Sequence, residues 1–222
     1  MSLLPRGHAV KEDIDPGRVN LPEALEKLAS GTFTGYLNFA GRRERGILLF
    51  AQGRLTNALF EGERERLTAY DAIARIFERS IEGGMRLGIY RLSPELVRLL
   101  RGLQNGEVLY RGQALKFIDL ERLLAIVREE RLSGCLRVYS GERTALIFFR
   151  EGLPIGFFHD GGQTLETQAD LSRSVAGLPE AKLDVLSSGE GQGEDAGDLL
   201  DSPGMGALWQ KALDMAVRQG RT

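Results

Sequence analysis

Thr34-Gly35-Tyr36-Leu37-Asn38-Phe39-Ala40, followed by Gly46-Ile47-Leu48-Leu49-Phe50-Ala51-Gln52-Gly53-Arg54-Leu55, is the stretch that decides the fold. Large apolar residues alternate through the first segment, as they do on a strand with one buried face. The second is an apolar strand closed by Gln52-Gly53, where glycine accepts the positive φ of a tight hairpin. Residues 54–60 return as a third strand. The pattern then recurs at a constant offset of 99 positions, through residues 19–62 and 118–161. Gly35 falls on Gly134, Leu37 on Leu136, Phe50 on Phe149 and Gly53 on Gly152. A repeated supersecondary unit sets the architecture before any side chain has a role. The four turn glycines Gly35, Gly53, Gly134 and Gly152 are read as structural.

Outward from this stretch, Asn20-Leu21-Pro22-Glu23 opens a helix with a capping asparagine and a first-turn proline. Its apolar stripe is Ala24, Leu25 and Leu28; the counterpart begins at Asp119, with Leu120, Leu123, Leu124 and Val127. A second helix is expected over residues 65–79 and, with a poorer stripe, over 164–176. Closing strands are expected at 85–92 and 181–186. Each unit reads helix, three antiparallel strands, helix, strand, which is an α+β fold with helices laid on an antiparallel sheet.

The expected organisation is a flexible amino end (1–18), a first unit (19–92), an ordered connector with a helix and a strand (93–117), and a second unit (118–187). A disordered acidic, glycine-rich tail (188–203) and an amphipathic terminal helix (204–222) follow. The formal charge of −2 with 42% hydrophobic residues gives no electrostatic footprint for nucleic acid or an anionic membrane. Cys135 is the single cysteine, which excludes an intrachain disulfide and fits a reducing cytoplasm. The amino end is interrupted by Pro5, Pro16 and Lys11-Glu12-Asp13, and reads neither as a secretory signal nor as an anchor.

Reactive groups are sparse. Of two histidines, His8 sits in the unpatterned amino end, and His159 precedes Asp160 in a glycine-flanked turn that is expected to be solvated. Neighbours on an extended chain point to opposite faces, so His159 and Asp160 do not form an acid/base pair by spacing alone. Cys135 reads as a small buried hydrophobe. No Cys/His spacing suits a metal and no loop resembles a calcium or phosphate cradle; the acids Glu190, Glu194, Asp195, Asp198 and Asp201 are expected to solvate the tail. No catalytic residue, cofactor or metal site is assigned. Leu208, Trp209, Leu213 and Ala216 on the terminal helix are read as a partner-docking stripe, with docking on its own unit as the other reading.

The residues aligned above carry a likeness. Thr34-Gly35-Tyr36-Leu37, the strand 47–50, the turn Gln52-Gly53-Arg54-Leu55 with Ala58, and residues 65–77 with Ala72-Ile73 together resemble the PATAN domain, a bacterial signalling domain. The first unit matches throughout; the second departs where Phe157 stands for the alanine. The resemblance implies a non-catalytic cytoplasmic adaptor whose protein partner is a receiver-domain protein, a Roadblock-type protein or a Ras-like GTPase. The alternative is a GTPase-activating factor supplying Arg42, Arg43 or Arg45. A small-ligand sensor between the units ranks third, because no convergent polar set is visible.

Overall fold

The computed structural model describes residues 4, 6–104, 106–141, 143–168, 175–188, 197–201 and 204–218. Its elements in chain order are β1 (His8–Ile14), α1 (Leu21–Ser30), β2 (Gly35–Ala40), β3 (Arg45–Ala51), β4 (Arg54–Glu61), β5 (Arg66–Thr68), α2 (Ala69–Glu82) and β6 (Arg86–Arg91). Next come α3 (Pro94–Gln104), β7 (Val108–Ala114), α4 (Leu120–Glu129), β8 (Gly134–Ser140), β9 (Arg143–Arg150), β10 (Leu153–His159), β11 (Lys182–Ser187) and α5 (Met205–Arg218). The fold is α+β, with two antiparallel sheets. The chain divides into two units, one built mainly from His8–Val97 and Asp195–Thr222, the other from Leu3–Gly7 and Arg98–Glu194.

In the first unit the sheet order is β1-β6-β2-β3-β4-β5. The meander β2-β3-β4 forms where the alternation demands it, with Gly35 opposite Phe50. Asn20 Oδ1 accepts the Glu23 N–H at 3.5 Å, and Pro22 lies in the first turn of α1. One layer of helices covers one sheet face: Leu21 and Leu25 of α1 join Ile73, Ile76 and Phe77 of α2 against Leu37, Phe39, Leu48 and Phe50.

The second unit repeats this plan in the order β10-β9-β8-β11-β7. Asp119 Oδ1 caps α4 by accepting the Arg122 N–H at 2.9 Å, and Gly134 stands opposite Phe149. Its core gathers Val127, Leu136, Val138, Phe149, Leu183 and Val185. The β3–β4 and β9–β10 hairpins are locked alike: Gly53 (φ 82°) donates to Phe33 O and Gly152 (φ 80°) to Leu132 O, both at 2.8 Å. A Cβ on Gly53 would lie 2.3 Å from the Ala29 carbonyl oxygen, and one on Gly152 2.8 Å from Arg128 Cα. Each hairpin therefore presses against the end of the preceding helix, and only glycine fits.

Several boundaries differ from the sequence reading. Residues 8–14, expected to be flexible, form β1 on β6, and the strand in the connector, β7, occupies the same place on β11. The repeat thus begins upstream of position 19. Both strands lie at sheet edges and are exposed almost throughout, so neither shows the alternation that marks a half-buried strand. The expected helix 65–79 starts only at Ala69, because Arg66–Thr68 pairs with β4 as β5. In the second unit, residues 164–168 and 175–176 are not helical, and Glu166 bridges to Phe157; the middle of that expected helix, 169–174, lies outside the described residues. Most of the expected disordered tail (189–196 and 202–203) also lies outside them. Within 197–201, Asp198 Oδ1 accepts the Leu55 N–H at 2.9 Å, and Leu199 N–H donates to Leu55 O at 3.0 Å, so that part pairs with β4.

Candidate functional site

Polar side chains that could do chemistry are engaged in holding strands together. His159 is buried rather than solvated, and its Nε2 lies 2.9 Å from Glu166 Oε2. Asp160 faces elsewhere: its two oxygens accept the N–H groups of Arg6 at 2.8 Å and Thr144 at 3.1 Å. The neighbouring pair therefore cannot act as a unit in which the acid orients the imidazole. Burial pushes the Cys135 thiol far above its ordinary range, which removes the thiolate that reactivity requires. An apolar cleft beside it, lined by Leu109, Val127, Leu132 and Phe149 among others, has a volume of about 10 Å³, room for roughly one water. Among the described residues no three His, Cys, Asp or Glu side chains converge as metal ligands.

A charge pair that the sequence reading missed sits mid-sheet in the second unit. Asp184 of β11 stands opposite Arg137 of β8, and Arg137 Nε donates to Asp184 Oδ2 at 2.8 Å. Gly112 N–H donates to Asp184 Oδ1 at 2.6 Å, so every part of this buried carboxylate is occupied. Burial, then the Asp184 charge, raises the Tyr139 hydroxyl above its ordinary value. The signal was present as Arg137 between Leu136 and Val138, with Asp184 at the matching depth of the closing strand.

The arginine turn of the first unit is tied down in part. Arg43 pairs with Glu63 at 2.6 Å, and Glu44 receives the Arg79 guanidinium at 2.8 and 2.9 Å. Arg42 is exposed and Arg45 half-buried.

Residues expected to dock a partner instead complete the first unit's own core. Trp209 meets Phe77 edge-on, ring centres 5.2 Å apart. Leu208 and Trp209 pack on the cluster that contains Met205 and Ala212, Ala216 is buried, and Leu213 is half-buried. The docking of α5 on α1 and α2 uses the stripe that a partner would have needed.

The corresponding face of α4 is open. Leu21 and Leu25 of α1 are 0% and 1% exposed, whereas their counterparts Leu120 and Leu124 are 39% and 43% exposed. Phe117, just before α4, is 81% exposed with the Lys116 ammonium 4.9 Å from its ring centre. Sequence alignment equates these leucines and cannot tell them apart, because the difference lies in what covers them. The weak stripe over residues 164–176 was the one available hint.

A family model described as "Uncharacterized protein conserved in archaea (DUF2226)" matches residues 3–104. This span runs from the amino end through α3, and so includes β1. It overturns the resemblance to the bacterial PATAN domain, which had rested on turn glycines and apolar strand positions. Those features follow from any helix-on-meander fold and do not discriminate between families. No curated protein and no solved structure matches the chain.

Proposed function

We infer that this chain is a non-catalytic interaction protein, an adaptor working in the cytoplasm, whose second unit docks an amphipathic helix of a protein partner on Phe117, Leu120 and Leu124. The observation that carries this reading is the unequal exposure of the two repeated helices. In the first unit this face is covered by α5, itself an amphipathic helix presenting Met205, Leu208 and Ala212. The second unit repeats the helix and leaves the same stripe to solvent. Contiguous apolar surface of this kind marks interaction sites, and helix-in-groove docking reads such i, i+4 anchors.

The partner classes named above came with the PATAN resemblance and lose their support with it. A GTPase-activating arginine has less in its favour than docking, since Arg43 is held by Glu63. The cytoplasmic setting is supported by a single buried thiol. Among the described residues no helix is long and apolar enough to cross a membrane.

The test is a photo-crosslinking residue at position 124, with the crosslinked peptide read by mass spectrometry. An amphipathic helical peptide of one defined protein is expected, and its capture should vanish in Leu120→Glu/Leu124→Glu. That variant should melt within a few degrees of the parent. A large loss of melting temperature would make the stripe a structural element, and unchanged capture would remove it as the docking face.

A further inference from the structure

Leu55, near the start of β4, is where the carboxyl-terminal segment fastens to the first unit. Its N–H donates to Asp198 Oδ1 at 2.9 Å, and its carbonyl accepts the Leu199 N–H at 3.0 Å. The same Asp198 oxygen accepts the Leu200 N–H at 3.0 Å, so one carboxylate shapes the turn and ties it to the strand. β5 covers only residues 59–61 of β4, which leaves the Leu55 end open to this clasp. Leu199 and Leu200 pack on the first core, and α5 follows, with Trp209 against Phe77. The segment is thus seated twice, by a backbone clasp on β4 and by a helix on the helical layer.

The matching position of the second unit, 99 residues on, is Pro154. Strand register gives the same equivalence. Leu55 stands opposite Phe50 and Pro154 opposite Phe149, and in each strand the next residue, Thr56 or Ile155, is an extra one bulged from the ladder. The nitrogen of either residue therefore faces away from the inner strand. Leu55 has a hydrogen to give there, and proline has none. A carboxylate brought to Pro154 as Asp198 is brought to Leu55 would lose hydration without gaining a donor. Proline is one of the devices that keep a sheet edge from pairing. Packing of α5 on α2 also favours the first unit, but it does not by itself bar the α5 stripe from Leu120 and Leu124.

We propose that Pro154 bars the carboxyl-terminal segment, residues 197–218, from the second unit and so keeps the α4 face free for a partner helix, a role that rests on the reading of α4 as a docking face. A partner that uses this face must be led onto it by something other than an aspartate clasp.

The test uses the full chain and a fluorescein-labelled peptide of residues 197–218, followed by fluorescence anisotropy. Pro154 is exposed, and Pro154→Ala adds an N–H with little other change. This variant is expected to bind the peptide at least about tenfold more tightly than the parent, the worth of a hydrogen bond to a charged acceptor. Exchange with the chain's own segment on the first unit is common to parent and variant and cancels in the ratio. With an Asp198→Ala peptide the gain should disappear. Melting within a few degrees of the parent is the folding control, and Pro154→Leu, which copies the first unit, is the second variant if alanine loosens the strand. Equal affinity of parent and variant overturns the proposal, as does a gain that the Asp198→Ala peptide shows in full. Loss of the gain on adding Leu120→Glu/Leu124→Glu seats the helix on α4. A gain that survives those changes keeps Pro154 as the barrier and removes α4 as the helix face, so the two readings fail separately.

Discussion

Asp184 has no exposed surface, and its charge is tolerated only because Arg137 and the Gly112 N–H meet it. Removing one partner of a buried ion pair leaves the other charged and unsolvated, a loss of about 3–5 kcal/mol. Asp184→Ala is expected to fall in that range by urea unfolding. Arg137→Met/Asp184→Asn should recover more than half of it, because asparagine still accepts from Gly112 while no charge is left buried. Cys135 makes a prediction of opposite character. Burial holds its pKa far above the ordinary thiol value of about 8.5. Above that pH the unfolded chain releases a proton that the native chain keeps, so stability falls as pH rises, by up to about 1.4 kcal/mol per unit. Below about pH 8 this group contributes no slope. Unfolding curves at pH 8, 9 and 10 should show the decline, and Cys135→Val should flatten it; an unchanged slope in that variant would mean that another group titrates.

At the scale of elements, α5 is the piece whose role the structure changes. Its edge-on contact with Phe77 places Trp209 in the first unit, although the ring is only half-buried. Trp209→Ala is therefore expected to cost about 2–3 kcal/mol, below the figure for a fully buried ring, whereas Leu124→Ala on the open face of α4 should cost under about 0.5 kcal/mol. Chemical denaturation of the two variants side by side measures the contrast, and equal losses would remove it. The meander strands β2, β3, β4, β8, β9 and β10 were legible because each alternates or runs apolar between turn signals, and both α1 and α4 announce their caps. β1 and β7 were not, since an exposed edge strand has no buried face to leave a period in the sequence. β5 was read as helix because Leu67 continues the apolar spacing of α2, and only its pairing with Phe60 makes it a strand. The attachment of Asp198 to Leu55 links residues 143 positions apart, a distance over which local patterning carries no information.

For the whole molecule, the repeat was visible in the sequence while its asymmetry was not. Two units with the same turns, caps and core positions are completed differently: the first closes its helical layer with a segment from the carboxyl end, and the second exposes Leu120 and Leu124. Burial of a helix by a further layer suppresses its local opening, and an uncovered helix opens at lower free energy. Hydrogen exchange should therefore separate two elements that sequence places in register. Amides of α1 (Leu21–Ser30) are expected to exchange at least tenfold more slowly than those of α4 (Leu120–Glu129), after correction for intrinsic rates. Deleting residues 204–222 strips α5 from α1 and should bring the two helices toward equal exchange, chiefly by accelerating α1. If α4 were as protected as α1 in the intact chain, its leucine stripe would be covered in solution, and the case for a helix-docking face on the second unit would fail at its premise.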